Sequence, residues 1–144
     1  MPAFKVYTYD KNCLPKQQHV NDAGIDLRAA NDYFIEPGDT VLVKCGIHLE
    51  IAPGFVGLIF PRSGLATKHG VSLANSVGVI DSDYRGEIMC AMVSNRMHTI
   101  NRYDRIAQLV TVPILQSGYE IVDSLLELST TARGAGGFGS TGNG

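Results

Sequence analysis

Short runs of β-branched and aromatic residues, cut at close intervals by Pro-Gly turns, leave this chain few choices of fold. The runs cover residues 4–9, 40–44, 47–51, 55–60, 88–93, 106–112 and 119–122, each of strand length and strand composition. Pro37-Gly38-Asp39 and Pro53-Gly54 stand between such runs. Proline presets φ and glycine tolerates positive φ, so both sites predict tight turns joining neighbouring strands. Helical periodicity sustained over about 11 residues is missing, and only residues 63–69 predict a short helix. The expected class is all-β: a sandwich, a jelly roll or a closed barrel. Across 144 residues there is no internal repeat, and the one shift in composition falls after Thr131. That predicts one domain over residues 1–131 and a Gly-rich arm over 132–144.

Charge and cysteine content exclude several functions. Net charge is -2, and the 12 lysines and arginines are scattered rather than clustered, which argues against tracking the backbone of DNA or RNA. Cys13, Cys45 and Cys90 are odd in number and form no CxxC pair, so they predict reduced, buried thiols rather than a disulfide framework or zinc knuckle. His19, His48, His69 and His98 lack metal-ligand spacing and read as surface or packing residues. The N-terminus has no apolar h-region, and no run approaches ~18 apolar residues, so no membrane partner is expected and the compartment reads as cytoplasmic.

The arm carries one cation, one ring and two hydroxyls, Arg133, Phe138, Ser140 and Thr141, among small residues. Glycine surrenders more backbone entropy on ordering than any other residue, so the segment predicts a flexible tail until something docks it. A lid closing over a phosphorylated flat base has a use for each of those groups: a forked donor for phosphate, a ring that stacks, and backbone N–H groups that approach oxygens closely.

Four further stretches carry chemistry. Residues 78–88 run from Gly78-Val79-Ile80 through Asp81 and Tyr84 to Ile88 and predict a β-hairpin. There Asp81, directly after two β-branched residues, is a carboxylate fixed at a strand end and a candidate general base. Pro61-Arg62-Ser63-Gly64 leads into the short helix, with Ser63 as its expected N-cap and phosphate as the alternative partner of that helix start. Asp22 and Asp26 flank a tight Gly24-containing stretch. Gln108 shares a strand face with Ile106 and Val110, where an amide needs partners.

Taken in order, DAGIDL (22–27), PRSGLA (61–66), GVIDSDYRGEI (78–88), RIAQL (105–109) and RGAGGFGSTG (133–142) resemble the five motifs of the trimeric dUTPases. The resemblance spans essentially the whole chain. It implies a jelly-roll-like distorted β-barrel with one short helix, assembled as a homotrimer whose active sites each draw on three subunits, the flexible arm arriving from the third. It implies hydrolysis of dUTP to dUMP and pyrophosphate, which keeps uracil out of DNA and supplies dUMP for thymidylate synthesis. By resemblance, Asp81 activates the attacking water. Asn75, the backbone of Gly78, Val79 and Ile80, and Met89 read uracil, and Tyr84 lies under the deoxyribose. Arg62, Ser63, Gly64 and Gln108 match phosphate-contacting positions, and Asp26 matches an acid that holds Mg²⁺ through water. Arg133 takes the γ-phosphate, Phe138 stacks on uracil, and Gly139, Ser140 and Thr141 close over the terminal phosphates. Mg²⁺ keeps several waters, so a triphosphate supplies most of its inner shell without a carboxylate cage.

A uracil site leaves polar groups unpaired against cytosine and rejects it by ~10⁴, whereas packing alone rejects an added ribose hydroxyl by only about 10². One departure from the family stands at Tyr103, where glycine is usual; a turn requiring positive φ would strain it, and a locally rebuilt turn is the expectation. Two alternatives remain on the same scaffold. A dCTP deaminase needs a glutamate where this chain aligns Ala91, and a non-catalytic nucleotide sensor has no need of Asp81 or the complete arm.

Overall fold

The structure is a computed structural model and describes residues 3–137. In chain order the strands are β1 (Phe4–Thr8), β2 (Ile25–Arg28), β3 (Tyr33–Ile35), β4 (Thr40–Ile51), β5 (Phe55–Pro61), β6 (Val71–Leu73), β7 (Gly78–Ile80), β8 (Glu87–Ser94), β9 (His98–Ile100) and β10 (Arg105–Pro113), with one helix, α1 (Ser63–His69), between β5 and β6. They form three antiparallel sheets ordered β1-β4-β8-β6, β2-β10-β5-β7 and β3-β9. The all-β class with one short helix is as the sequence predicted. Among the described residues, however, the sheets do not close on one another as a barrel.

One hydrophobic cluster draws on all three sheets. Val43, Ile47, Leu49, Ile51, Ile88 and Met92 come from the first, Leu27, Ile59, Ile106 and Leu109 from the second, and Ile35 and Ile100 from the third. The period-2 alternation that orients them is clearest on β8, where Ile88, Cys90, Met92 and Ser94 point inward while Met89 is exposed. All three cysteines lie in or against this cluster as free thiols. Cys45 and Cys90 sulfurs stand 3.7 Å apart, and that mutual hydrogen bond, then burial, pushes the Cys45 thiol well above its ordinary value.

Several expectations are corrected by pairing that local composition does not reveal. Residues 40–44 and 47–51 are one strand, β4, not two: Gly46 adopts φ +67°, and the register against β8 shifts between Lys44 and His48, so a glycine bulge carries the strand through what reads as a break. Residues 119–122 form no strand; Tyr119 and Ile121 stand exposed. β2, β3, β6 and β9 are too short to announce themselves and exist through their partners, as β6 does by pairing Val71–Leu73 with β8. The expected hairpin over 78–88 is also different in kind. β7 pairs with β5, Gly57 opposite Ile80, while β8 pairs with β4 and β6. The stretch therefore crosses from one sheet to another and leaves a cleft where it crosses.

Tyr103 is a second correction of kind, because the turn is not rebuilt. It holds φ +72°, a conformation that costs a bulky residue strain, and the neighbourhood holds it there. The Tyr103 N–H donates to Ala29 O at 2.7 Å, its carbonyl accepts from Arg28 Nη1 at 2.8 Å, and its hydroxyl donates to Asp10 Oδ2 at 2.8 Å. Arg102 lies over the ring at 4.8 Å and pairs with the same carboxylate oxygen at 2.8 Å.

Candidate functional site

Most of the residues singled out in sequence line one of two cavities. Asp26, Arg62, Ser63, Gly64 and Gln108 all line the first, of about 380 Å³, together with Asp22 and Gly24. Asp26 leaves β2 almost fully buried and binds two cations: Arg62 Nε at 3.0 Å from Oδ1 and Arg105 Nη1 at 3.2 Å from Oδ2. Such pairs hold guanidinium planes in fixed orientation. The Arg62 Nη1 also donates to Arg105 O at 3.1 Å, so one carboxylate and one carbonyl set its direction.

The entry to α1 differs from expectation in one respect. Arg62, not Ser63, occupies the N-cap position, and its side chain makes no cap bond. Ser63 is the first helical residue, and its backbone N–H and that of Gly64 belong to a first turn that lacks intrahelical partners. A Cβ at Gly64 would meet nothing within 4 Å, so the missing side chain leaves open space beside those N–H groups rather than relieving a clash. Gln108, on β10 opposite Phe60, donates from Nε2 to Pro61 O at 3.0 Å. Gly24 permits that pose, since a Cβ there would collide with the Gln108 amide oxygen.

The second cavity, about 130 Å³, is the cleft left where residues 78–88 cross between sheets. Asn75, Gly78, Val79, Ile80 and Met89 line it, with Ile59, Leu73, Cys90 and Ala91 completing its walls. Its mouth is shaped by a tight turn in which Ser76 holds φ +63° and Val77 N donates to Asn75 O at 2.7 Å. Asp81 follows the last residue of β7 and is exposed, and none of the ion pairs among the described residues engages it. Its backbone is pinned, Tyr84 N donating to Asp81 O at 3.2 Å. Tyr84 lies across Gly86, where a Cβ would strike its ring and hydroxyl, and the hydroxyl donates to Glu87 O at 3.1 Å. The Asp81 backbone and the Tyr84 ring are thus both held where the chain leaves β7, while the Asp81 carboxylate stands open.

Among the described residues the two cavities share no lining residue. Arg133 joins neither; its Nε donates to Gly136 O at 2.8 Å within its own turn. Phe138, Gly139, Ser140 and Thr141 lie outside the described residues. Sequence reasoning did not single out Arg105 as a site residue, because its contact with Asp26 depends on the pairing of β2 with β10; nor did it find the apolar walls Ile59 and Leu73, which look like any core residue. Arg62 and Arg105 also border a third cavity of about 340 Å³ with His69 and His98, whose rings are 5.3 Å apart. Burial, then the neighbouring His69, lowers the His98 proton affinity.

The sequence model of the dUTPase family matches residues 10–142. A deoxyuridine 5'-triphosphate nucleotidohydrolase of Burkholderia mallei (strain SAVP1) is 48% identical over 140 residues, 93% of this chain and 92% of the relative. One of Paraburkholderia phymatum is 48% identical over 134 residues, 90% of this chain and 88% of the relative. Among solved structures, the Staphylococcus bacteriophage 80alpha dUTPase with dUPNHPP superposes with a TM-score of 0.86 at 27% identity, covering 99% of this chain and all of that one. A mutant dUTPase from phage phi11 of S. aureus, described for its coordination of a structural Mg(II) ion, gives a TM-score of 0.78 at 25% identity over 86% of this chain and 99% of that one.

Proposed function

This chain belongs to the dUTPase family, and from that premise we propose that it cleaves dUTP to dUMP and pyrophosphate with Asp81 as the base. The observation that carries this reading is a polar cavity lined by Arg62, Ser63, Gly64 and Gln108 together with a small, mostly apolar cleft whose wall strand, β7, runs directly into Asp81. The Asp81 carboxylate takes a proton from a water molecule as its oxygen bonds to the α-phosphorus. The bond from that phosphorus to the bridging oxygen of the β-phosphate breaks, and pyrophosphate leaves. Arg62, the N–H groups of Ser63 and Gly64, and Gln108 hold the phosphates in line, while Asp26 fixes Arg62 and Arg105.

Mg²⁺ suits this donor set as a visitor. Both Asp26 oxygens already face guanidinium groups, Oδ1 paired with Arg62 and Oδ2 accepting from Arg105, and no cluster of three or more His, Cys, Asp or Glu among the described residues could hold a metal ion. Asp26 would reach a hydrated cation through water, with the triphosphate filling most of its inner shell. When bound, Mg²⁺ withdraws charge from the phosphates being separated.

Uracil is read by Asn75 and the backbone of Gly78, Val79 and Ile80, with Met89 beside them and Tyr84 under the deoxyribose. The separation of phosphate cavity from base cleft within one chain supports the homotrimer, in which each site takes its two halves from different copies. So does the tail, where Leu115, Tyr119, Ile121, Leu125 and Leu126 stand at least four-fifths exposed or nearly so, an apolar strip suited to lying across a neighbour. It would deliver Arg133 to the γ-phosphate, with Phe138, Gly139, Ser140 and Thr141 closing behind it. A dCTP deaminase is disfavoured because Ala91, where that chemistry needs a glutamate, lines the cleft with a methyl group. A mere sensor would have no use for an open Asp81 carboxylate directly after β7. Assaying dUTP, dTTP, dCTP and UTP for pyrophosphate and ammonia tests the proposal: release of pyrophosphate from dUTP alone is expected, and ammonia from dCTP or inertness toward dUTP would overturn it.

A further inference from the structure

A third group of cations lies apart from both halves of the site. Lys11, Lys16 and Arg28 line a cavity of about 380 Å³ with the Asn12 amide on one side and Tyr103 on another, the same volume as the phosphate cavity. No acid among the described residues lines it, in a chain whose net charge is -2. Asp10, the adjoining acid in sequence, is turned to Arg102 and Tyr103. None of the ion pairs among the described residues takes up Lys11, Lys16 or Arg28. Arg28 gives one N–H to Tyr103 O and retains four others. Like charges gathered without counter-charges repel one another, and a cavity between them invites an anion.

We infer that this cavity is a second oxyanion site, taking a diphosphate such as inorganic pyrophosphate. Three cations spread around one space match a multiply charged anion better than a single carboxylate or chloride. Tyr103 adds an independent observation. A tyrosine held at φ +72° is strained where glycine would not be, and strain kept in place by four surrounding contacts points to a use for the side chain at that spot. The site also adjoins the reaction. Lys16 and Asp26 pair through both backbone hydrogen bonds, at 3.3 and 3.0 Å, so the cation lining one cavity and the acid ordering the other sit side by side; Arg28 follows two residues on along β2. That a diphosphate is released next to this cavity rests on the dUTP cleavage proposed above, but binding at the cavity does not.

Calorimetric titration of inorganic pyrophosphate into the full-length chain, first saturated with a non-hydrolysable imido analogue of dUTP, tests the inference. One diphosphate per chain should bind, and the Lys11→Gln/Lys16→Gln double variant should bind it at least ~10-fold more weakly, as expected for the loss of two charge-assisted contacts. dUTP turnover, measured on the same preparations, should be unchanged by the double variant. No binding to the analogue-saturated chain, or equal binding by the double variant, would overturn the second site. Absent turnover with binding intact would instead overturn the proposed hydrolysis and leave this cavity standing.

Discussion

Gly24→Ala should disable the phosphate cavity through a residue it does not replace. A Cβ at position 24 would overlap the Gln108 amide oxygen and lie 3.1 Å from its Cδ and 3.2 Å from its Cβ. The terminal amide can swing away, but the side-chain root cannot, so the Gln108 Nε2 bond to Pro61 O at 3.0 Å is lost along with the amide's place at the cavity wall. The lost neutral hydrogen bond costs about 1 kcal/mol of stability, a shift of a few degrees in Tm for a chain of this size. The loss at the substrate is larger, since a hydrogen bond to a charged phosphate contributes about 1.5–3 kcal/mol, or ~10- to 150-fold in kcat/KM. A double-mutant cycle isolates the route. If Gly24 acts only by admitting Gln108, then Gly24→Ala/Gln108→Ala should fall no further than Gln108→Ala alone. Native-like kcat/KM in Gly24→Ala, or strictly additive losses in the double variant, would refute the steric argument.

Other outcomes follow from the same geometry. Asp81→Asn should slow kcat by at least ~10²-fold, the low end for a positioned base, while calorimetry shows the imido analogue still binding; an unchanged kcat would remove Asp81 from the reaction. Truncation after residue 131 should leave circular dichroism and the number of chains per assembly as in the parent but abolish most dUTP turnover, and full activity in that form would dismiss the arm. Tyr103→Phe bears on pH. The Tyr103 hydroxyl first, then the Asn12 N–H and Arg102, hold the Asp10 carboxyl below the usual carboxylate range. Stabilisation of that kind is complete above the unfolded carboxyl's value of ~3.9 and is lost as pH falls through the lower folded value. Urea midpoints of native and Tyr103→Phe chains should therefore differ at pH 7 and converge in strong acid; a gap independent of pH would place the effect elsewhere.

What the sequence disclosed, and what it hid, divides along the reach of the interactions involved. Strand composition and the helix at residues 63–69 were legible because β-branched runs and turn residues act locally, and the strand-end position of Asp81 was legible because two β-branched neighbours precede it. Pairing is non-local. Nothing in residues 78–88 tells that β7 joins β5 instead of folding back on β8, so the cleft formed by the crossing was out of reach, as were its walls Ile59 and Leu73. The bulge at Gly46 reads as a strand break until the β8 register is known. Tyr103 looks like a residue that would force its turn to change, yet the Asp10 carboxylate, 93 residues away in sequence, and Arg28 from β2 hold it in place. Residues 119–122 err in the opposite direction, carrying strand composition without a strand partner among the described residues.

Co-expression of Arg62→Gln chains with Asp81→Asn chains, followed by purification of mixed assemblies carrying both, tests most directly whether the two cavities are halves supplied by different copies. Each variant alone should be nearly inert. In a cyclic trimer every mixed assembly has one site in three where an intact phosphate cavity from one chain meets an intact cleft from another, so the purified mixture should recover about a third of native turnover. If a single chain furnished both halves, no site in the mixture would be whole, and activity no greater than that of the separate variants would contradict the account.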